Sequence, residues 1–354
     1  MPGALRGERK QMKALVLKEY MRFSYEDAPE PALERDRVIV RVKACGICGS
    51  DVHGMDGSTG RRIPPIIMGH EAAGVIADAG PDATDFKVGE RVTFDSTVYC
   101  GACFYCRQGQ INLCDNRRVL GVSCAEYRWH GAFAEFVAVP RRVLYRLPAG
   151  ISFEQAAMVE PCSIAFHAVA RAKVKLGDTA VVVGSGMIGL LVIQALRASG
   201  CRLVIAVDVD GNKLELAARL GADVVVNSAR TDAGAGVREQ TADRGADLAF
   251  EAVGITDSVV TAVACLRKGG TLALVGNISP AVEFPQQAVV TRELSVQGCC
   301  ASQGEYPACL DLIARGVIDV DALRSASAPL SEGASWFQRL YEREPGLMKV
   351  ILQP

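Results

Sequence analysis

Thr179-Ala180-Val181-Val182-Val183-Gly184-Ser185-Gly186-Met187-Ile188-Gly189 is the stretch that decides the fold. Its first five residues are apolar or β-branched without alternation, as in a strand buried on both faces. A G-x-G-x-x-G run follows at once and opens an apolar stretch of helical length, Met187–Ala198. In a chain with 35 glycines the pattern alone is weak. With a strand before it and a helix after it, it becomes a dinucleotide fingerprint. Gly184 permits the tight turn, Gly186 lets a pyrophosphate reach the backbone, and Gly189 lets helix and strand pack closely. The first helical turn, with Met187 and Ile188, offers unpaired N–H groups and a positive dipole end to the phosphates. Asp208 ends the next strand, where it can accept hydrogen bonds from the adenosine ribose. Its charge repels a 2′-phosphate, so NAD is expected over NADP. Lys213, one turn further on, is also within reach of the ribose.

Downstream, residues 202–207, 222–226, 247–251 and 271–275 read as further strands, with helical stretches such as 212–220 between them. Apolar strands alternating with helices predict an α/β unit with a doubly wound parallel sheet. The alternation ends near residue 298. Upstream, the first 150 or so residues read as short strands and turns. Residues 13–17 and 38–43 are strand-like, and Gly and Pro recur between residues 46 and 80. That pattern suits an irregular β-rich domain with functional loops.

Within it, Cys100, Cys103, Cys106 and Cys114 are spaced C-x2-C-x2-C-x7-C. Four thiolates this close can close a tetrahedral zinc site with no open position, which ties a loop together and performs no chemistry. Two adjacent disulfides are disfavoured, because cysteines two residues apart rarely reach the required geometry. A redox C-x-x-C is the other alternative. The lobe is taken as residues 95–118, turning through Gly101.

Composition narrows the class. The 354 residues are 49% apolar and 22% charged, with net charge -1. These values fit a globular chain of two domains. No basic stripe or charge block suggests nucleic acid or a membrane surface. Residues 1–11 carry Arg6, Arg9 and Lys10 but no apolar core of a secretory signal, and read as a short extension. No apolar run approaches the roughly 18 residues that span a bilayer. Thirteen cysteines in such a chain point to a reducing cytoplasm.

A second set of metal-type residues stands apart from the lobe. Cys48 lies in Gly46-Ile47-Cys48-Gly49-Ser50-Asp51-Val52-His53, beside Cys45. His70 and Glu71 lie in Gly69-His70-Glu71, and Glu160 in Val159-Glu160-Pro161. Histidine is scarce, with four in the chain, and two of them fall in these segments. One Cys, one His and one or two carboxylates leave a position for water or substrate, which is the open geometry of catalytic zinc.

These motifs, in this order, resemble the zinc-dependent medium-chain dehydrogenases, a family that includes alcohol, sorbitol and threonine dehydrogenases. The likeness runs from about Met12 to the C-terminus. It implies a GroES-like β-barrel catalytic domain (1–161), a Rossmann coenzyme domain (162–297) and a return to the catalytic domain (298–354), with the active site in the cleft between them. It implies that Cys48 rather than Cys45 is a ligand of the catalytic zinc and that His70 is the second. Glu71 or Glu160 completes the set, sometimes through bound water, as in the sorbitol and threonine dehydrogenase branch. Both are expected near the metal, with Glu71 moving in or out. Asp51 would orient His70, and Ser50 would pass the substrate's proton towards His53. The cofactors implied are NAD and two zinc ions per chain.

A secondary alcohol of a polyol, sugar alcohol or cyclitol, oxidised to a ketone, is the substrate class that follows. Sorbitol dehydrogenases usually carry an Arg-Tyr pair after the strand that ends in Gly298, whereas Ala301 and Ser302 stand here. Arg61 and Arg62 read as a solvated loop pair; facing an anion, they would instead suit a phosphorylated polyol or L-threonine. A non-catalytic zinc- and dinucleotide-binding protein is the competing class. The family commonly forms homodimers or homotetramers.

Overall fold

The computed structural model describes residues 11–124 and 127–354, so the expected N-terminal extension lies outside the described residues apart from Gln11, which already begins the strand Gln11–Glu19. The chain divides into two compact units. One comprises residues up to Glu160 with Tyr306–Ala314 and Val320–Pro354, and the other Pro161–Glu305 with Arg315–Asp319.

The second unit is a six-stranded parallel sheet. Its spatial order is Val224–Asn227, Leu203–Asp208, Thr179–Val183, Ala246–Glu251, Leu266–Leu274, Ser295–Gly298. The first strand in sequence lies inside, and the chain winds outward from it in both directions. This order creates a switch point beside Thr179–Val183, where ligands of doubly wound sheets bind. Every residue of that strand is buried, as its unbroken apolar run requires. The helix Met187–Ala198 covers it with a largely buried face. The unit continues past residue 298, the expected return point. Cys299 N–H still bonds Leu274 O, and Glu305 Oε1 lies 2.8 Å from His167 Nδ1. Residues 315–319 also join it, because the Gln194 side chain both accepts from Asp319 N–H and donates to Asp319 O.

The first unit is mainly antiparallel. A seven-stranded sheet runs Leu144–Arg146, Arg91–Phe94, Glu71–Ala79, Arg37–Gly46, Lys349–Gln353, Arg324–Pro329, with Phe136–Pro140 also paired to Arg37–Gly46. Gln11–Glu19 pairs with Arg22–Pro29 on one side and Ile66–Ile67 on the other. Leu15, Leu17, Val40, Ile76, Phe94, Phe133, Phe337 and Leu352 share one core. Two registers matter most. Gly46 sits opposite Glu71, and Ile351 sits opposite Gly46. Three distant segments therefore end side by side. No helix among the described residues is long and apolar enough to cross a membrane.

Candidate metal centres and dinucleotide site

The four-cysteine lobe forms from adjacent residues. The ligand atoms of Cys100, Cys103, Cys106 and Cys114 all lie within 4.8 Å of one another. Gly101 turns the chain with φ 78°, a conformation that other residues reach only under strain. The N–H groups of Ala102 and Cys103 then point at Cys100 Sγ, each at 3.4 Å, and bring that thiol down to about 6. Cys106 goes the other way. Loss of water, with the neighbouring sulfurs, pushes it up to about 12. Four thiolates do not coexist in this space without a cation among them, so the donor set fits a closed zinc site.

The second cluster is assembled by strand register. Cys48 caps the short helix Gly49–Val52 and accepts from Ser50 N–H. The pairing of Arg37–Gly46 with Glu71–Ala79 brings the segment just before Cys48 beside His70 and Glu71. The Cys48, His70 and Glu71 ligand atoms lie within 4.8 Å of one another. Gly46 is required here, since a Cβ on it would lie 2.3 Å from Glu71 Oε2. Cys45 stays outside the cluster. It is fully buried, and burial pushes its thiol well above the usual range.

Asp51 is fully buried. Its Oδ2 lies 3.3 Å from His70 Nδ1, and its Oδ1 accepts two N–H groups from Arg62. Against the cost of burial, His70 and Arg62 together hold the Asp51 carboxyl well below the carboxylate range. Burial would lower His70, but the charges of Asp51 and Cys48 outweigh it and raise the imidazole. With Nδ1 facing Asp51, Nε2 is the nitrogen left for a metal, the arrangement in which an outer carboxylate fixes a ligating imidazole.

Glu71 is fully buried. Its Oε2 is 2.5 Å from Lys349 Nζ, while Oε1 has no hydrogen-bond partner. Lys349 is itself buried and donates to Ile47 O at 3.0 Å. Glu160, in the first turn of the helix Val159–Arg171, falls outside the 4.8 Å trio among the described residues. Burial, with the charges of Glu71 and Asp95 against it, pushes its carboxyl up to about 8, and His70 pulls the other way. A half-buried thiol, a buried imidazole and an unpaired carboxylate oxygen fit a borderline-soft dication, and a second carboxylate stands near.

The expected proton relay is only partly assembled. Ser50 Oγ lies 3.3 Å from Cys48 Sγ and accepts from Arg62 Nη2 at 3.3 Å, and makes no hydrogen bond to His53. Asp56, three residues on from His53, is held low against burial chiefly by hydrogen bonds from Ser58 and Tyr341.

Three contributors were missed at the sequence level. Arg62, read as half of a solvated pair, is 3% exposed and fully engaged with Asp51 and Ser50, while Arg61 is exposed. Lys349 was unread, although a lone lysine heading the apolar run Val350-Ile351-Leu352 was a usable signal. Glu251 read only as a strand end. It is fully buried, and its Oε1 accepts from the N–H groups of Val253 and Gly254 and from the Ser258 hydroxyl.

The glycine-rich turn is formed as its residues require. Gly184 has φ 97°, and a Cβ there would lie 2.4 Å from Val253 Cγ2. A Cβ on Gly189 would lie 1.8 Å from Gly184 O. One on Gly186 would meet nothing within 4 Å, so open space faces the backbone where a pyrophosphate would bind. Met187 and Ile188 occupy the half-buried first turn of the helix. Asp208 braces this turn. Its Oδ2 accepts from Ser185 N–H at 2.6 Å and its Oδ1 from Asp210 N–H at 2.9 Å. Lys213 is half-buried.

Comparison with known proteins agrees with both units. Residues 34–149 match the alcohol dehydrogenase GroES-like domain, and residues 188–315 match the zinc-binding dehydrogenase domain. The chain is 32% identical over 348 residues to a sorbitol dehydrogenase of Bacillus subtilis, covering 97% of each. It is 36% identical over 322 residues to D-xylulose reductase A of Aspergillus oryzae, covering 88% of this chain and 89% of that one. The structure of an alcohol dehydrogenase from Thermus sp. ATN1 superposes with a TM-score of 0.91 at 30% identity, covering 97% of this chain and 99% of that one. The chain belongs to the zinc-binding alcohol dehydrogenase family.

Proposed function

We propose that the protein is a zinc-dependent dehydrogenase that oxidises a secondary alcohol of a polyol, sugar alcohol or cyclitol to a ketone, with NAD as hydride acceptor. The observation that carries this reading is the mixed cluster of Cys48, His70 and Glu71, whose Oε1 is buried and unpartnered. Bound zinc would polarise the substrate hydroxyl and bound NAD would accept the hydride. Cys48 and His70 would hold the metal. Glu71 would supply Oε1, since Lys349 anchors Oε2, and Glu160 stands as the second carboxylate. Asp51 keeps the His70 ring turned towards the site. Ser50 Oγ receives the hydroxyl proton, and His53 takes it up nearer the surface once solvent or substrate bridges the two. The open backbone at Gly184, Gly186 and Gly189 and the dipole at Met187 and Ile188 receive the pyrophosphate, with Asp208 and Lys213 at the ribose. The four-cysteine lobe would hold the other zinc.

The polyol class is supported by the sorbitol and D-xylulose relatives and by the carboxylates at 71 and 160. Engagement of Arg62 with Asp51 removes half of the pair that would have received a phosphate or an amino-acid carboxylate. Thirteen cysteines, four of them grouped in one lobe, suit a reducing cytoplasm. The edge strand Ser295–Gly298, with Val296 39% exposed, suits a homo-oligomer.

The test is NADH formation over a panel of polyols, cyclitols, phosphorylated polyols and L-threonine, beside Glu71→Gln and Glu160→Gln. Turnover of a polyol, with catalytic zinc weakened more by Glu71→Gln, is expected. Full zinc and dinucleotide binding without turnover in either direction would leave only a binding protein.

A further inference from the structure

Arg62 is the best-buried of the described arginines in the first unit, at 3% exposure. Burying a guanidinium is costly unless its donors are matched. Here they are. Nε and Nη2 donate to Asp51 Oδ1 at 3.1 and 2.8 Å, Nη2 also reaches Ser50 Oγ at 3.3 Å, and Nη1 donates to Arg61 O at 3.3 Å. The seat is shaped for it, because a Cβ on Gly54 would lie 2.3 Å from Arg62 Cγ.

Resting on the dehydrogenase reading above, we propose that Arg62 is a positioning residue that fixes the metal-ligating imidazole and the proton-accepting hydroxyl at the same time. Two N–H groups on one oxygen of Asp51 set the plane of that carboxylate. The other oxygen is thereby aimed at His70 Nδ1, 3.3 Å away, and the ring rotation that presents Nε2 is set. The third contact acts on Ser50. Arginine has donors only, so its N–H occupies a lone pair of Oγ. The Ser50 hydroxyl hydrogen must then point away from Arg62, towards Cys48 Sγ, which leaves the second lone pair of Oγ for the proton of an incoming substrate hydroxyl. A cationic donor at Oγ also favours negative charge there. Only a planar fork serves two acceptors on adjacent residues in this way; a lysine ammonium is a single compact charge on a flexible stem.

The experiment uses the full-length zinc protein and its cobalt-substituted form. Arg62→Ala, Arg62→Lys and Gly54→Ala are compared for catalytic-site metal affinity by chelator competition, for the cobalt visible spectrum, and for kcat and KM. Arg62→Ala is expected to weaken the catalytic-site metal by roughly 10–100-fold, the usual cost of losing an outer partner of a ligand. The four-cysteine zinc should be retained, the cobalt bands should shift, and kcat should fall with KM for NAD unchanged. Millimolar guanidinium should restore part of kcat. Arg62→Lys should keep the fold but shift the same bands. Gly54→Ala should shift them too, with the charge retained but displaced. Wild-type metal affinity and cobalt spectra in Arg62→Lys and Arg62→Ala, with only thermal stability lowered, would overturn the proposal. If Arg62→Ala does not fold, the spectrum of Arg62→Lys decides alone. Should the wild-type protein oxidise no alcohol, the functional reading fails, while metal affinity and spectrum still test Arg62.

Discussion

The two candidate metal centres of this chain are built in opposite ways. In the four-cysteine lobe every ligand comes from one short segment, and the backbone of that segment also supplies the N–H groups that pull Cys100 down. In the mixed centre the ligands come from separate segments, and the balancing charges come from further away still. Lys349 lies 278 residues from Glu71 in sequence and 2.5 Å from it in space. The lobe is a local fold that a metal among its four thiolates would close. The mixed centre is a product of sheet register, and it carries buried charge that the rest of the unit must neutralise.

The largest effect expected from that difference is at Cys48. Cys48→Ala should cost at least ~10³-fold in kcat/KM, about 4 kcal/mol of transition-state stabilisation, and leave the lobe zinc in place. Metal analysis and steady-state rates check it together. Next is Lys349→Met, which strands a buried carboxylate at Glu71. A loss of about 3–5 kcal/mol in stability is expected, read by denaturant unfolding, and Glu71→Gln in the same chain should recover most of it. If the double variant is no better than the single, the ion pair is not what couples the sheet to the site. Cys103→Ser should do the reverse of Cys48→Ala. It should release the lobe zinc and lower stability by about 2–3 kcal/mol while the catalytic-site metal stays bound. Loss of both metals at once would show that the two centres are not independent. Chelator treatment should remove the mixed-site metal before the lobe metal, because one thiolate and an open position hold less firmly than four thiolates. Release in the opposite order would break the comparison. The smallest effect is at the ribose. Asp208→Asn should raise NADP use relative to NAD by roughly 10-fold, about 1.4 kcal/mol. NAD affinity itself should also fall, since Asp208 braces the Ser185 N–H.

The same contrast explains what could be read without coordinates. The cysteine lobe and the glycine turn were legible because their chemistry is carried by spacing along the chain, and Gly101, Gly184 and Gly189 have the contacts or positive φ that their positions called for. The residues of the mixed site were legible as a set of types. Their partners were not. Arg62 looked like one of two solvated arginines because nothing local distinguishes it from exposed Arg61. Only the turn after the helix Gly49–Val52 folds it back onto Asp51. Ser50 and His53 looked like adjacent steps of one relay because they share a motif, yet the short helix gives Ser50 to Cys48 and Arg62.

The sequence by itself determined the parallel α/β unit, the four-cysteine lobe and the kinds of atoms in the mixed cluster, because strand periodicity, glycine φ and thiol spacing act over a few bonds. Tertiary structure alone decided which charges stand against which. Lys349 faces Glu71, and Arg62 holds Asp51 on His70. Such pairs depend on antiparallel register and on burial, which shed water from every charge and so make each partner obligatory.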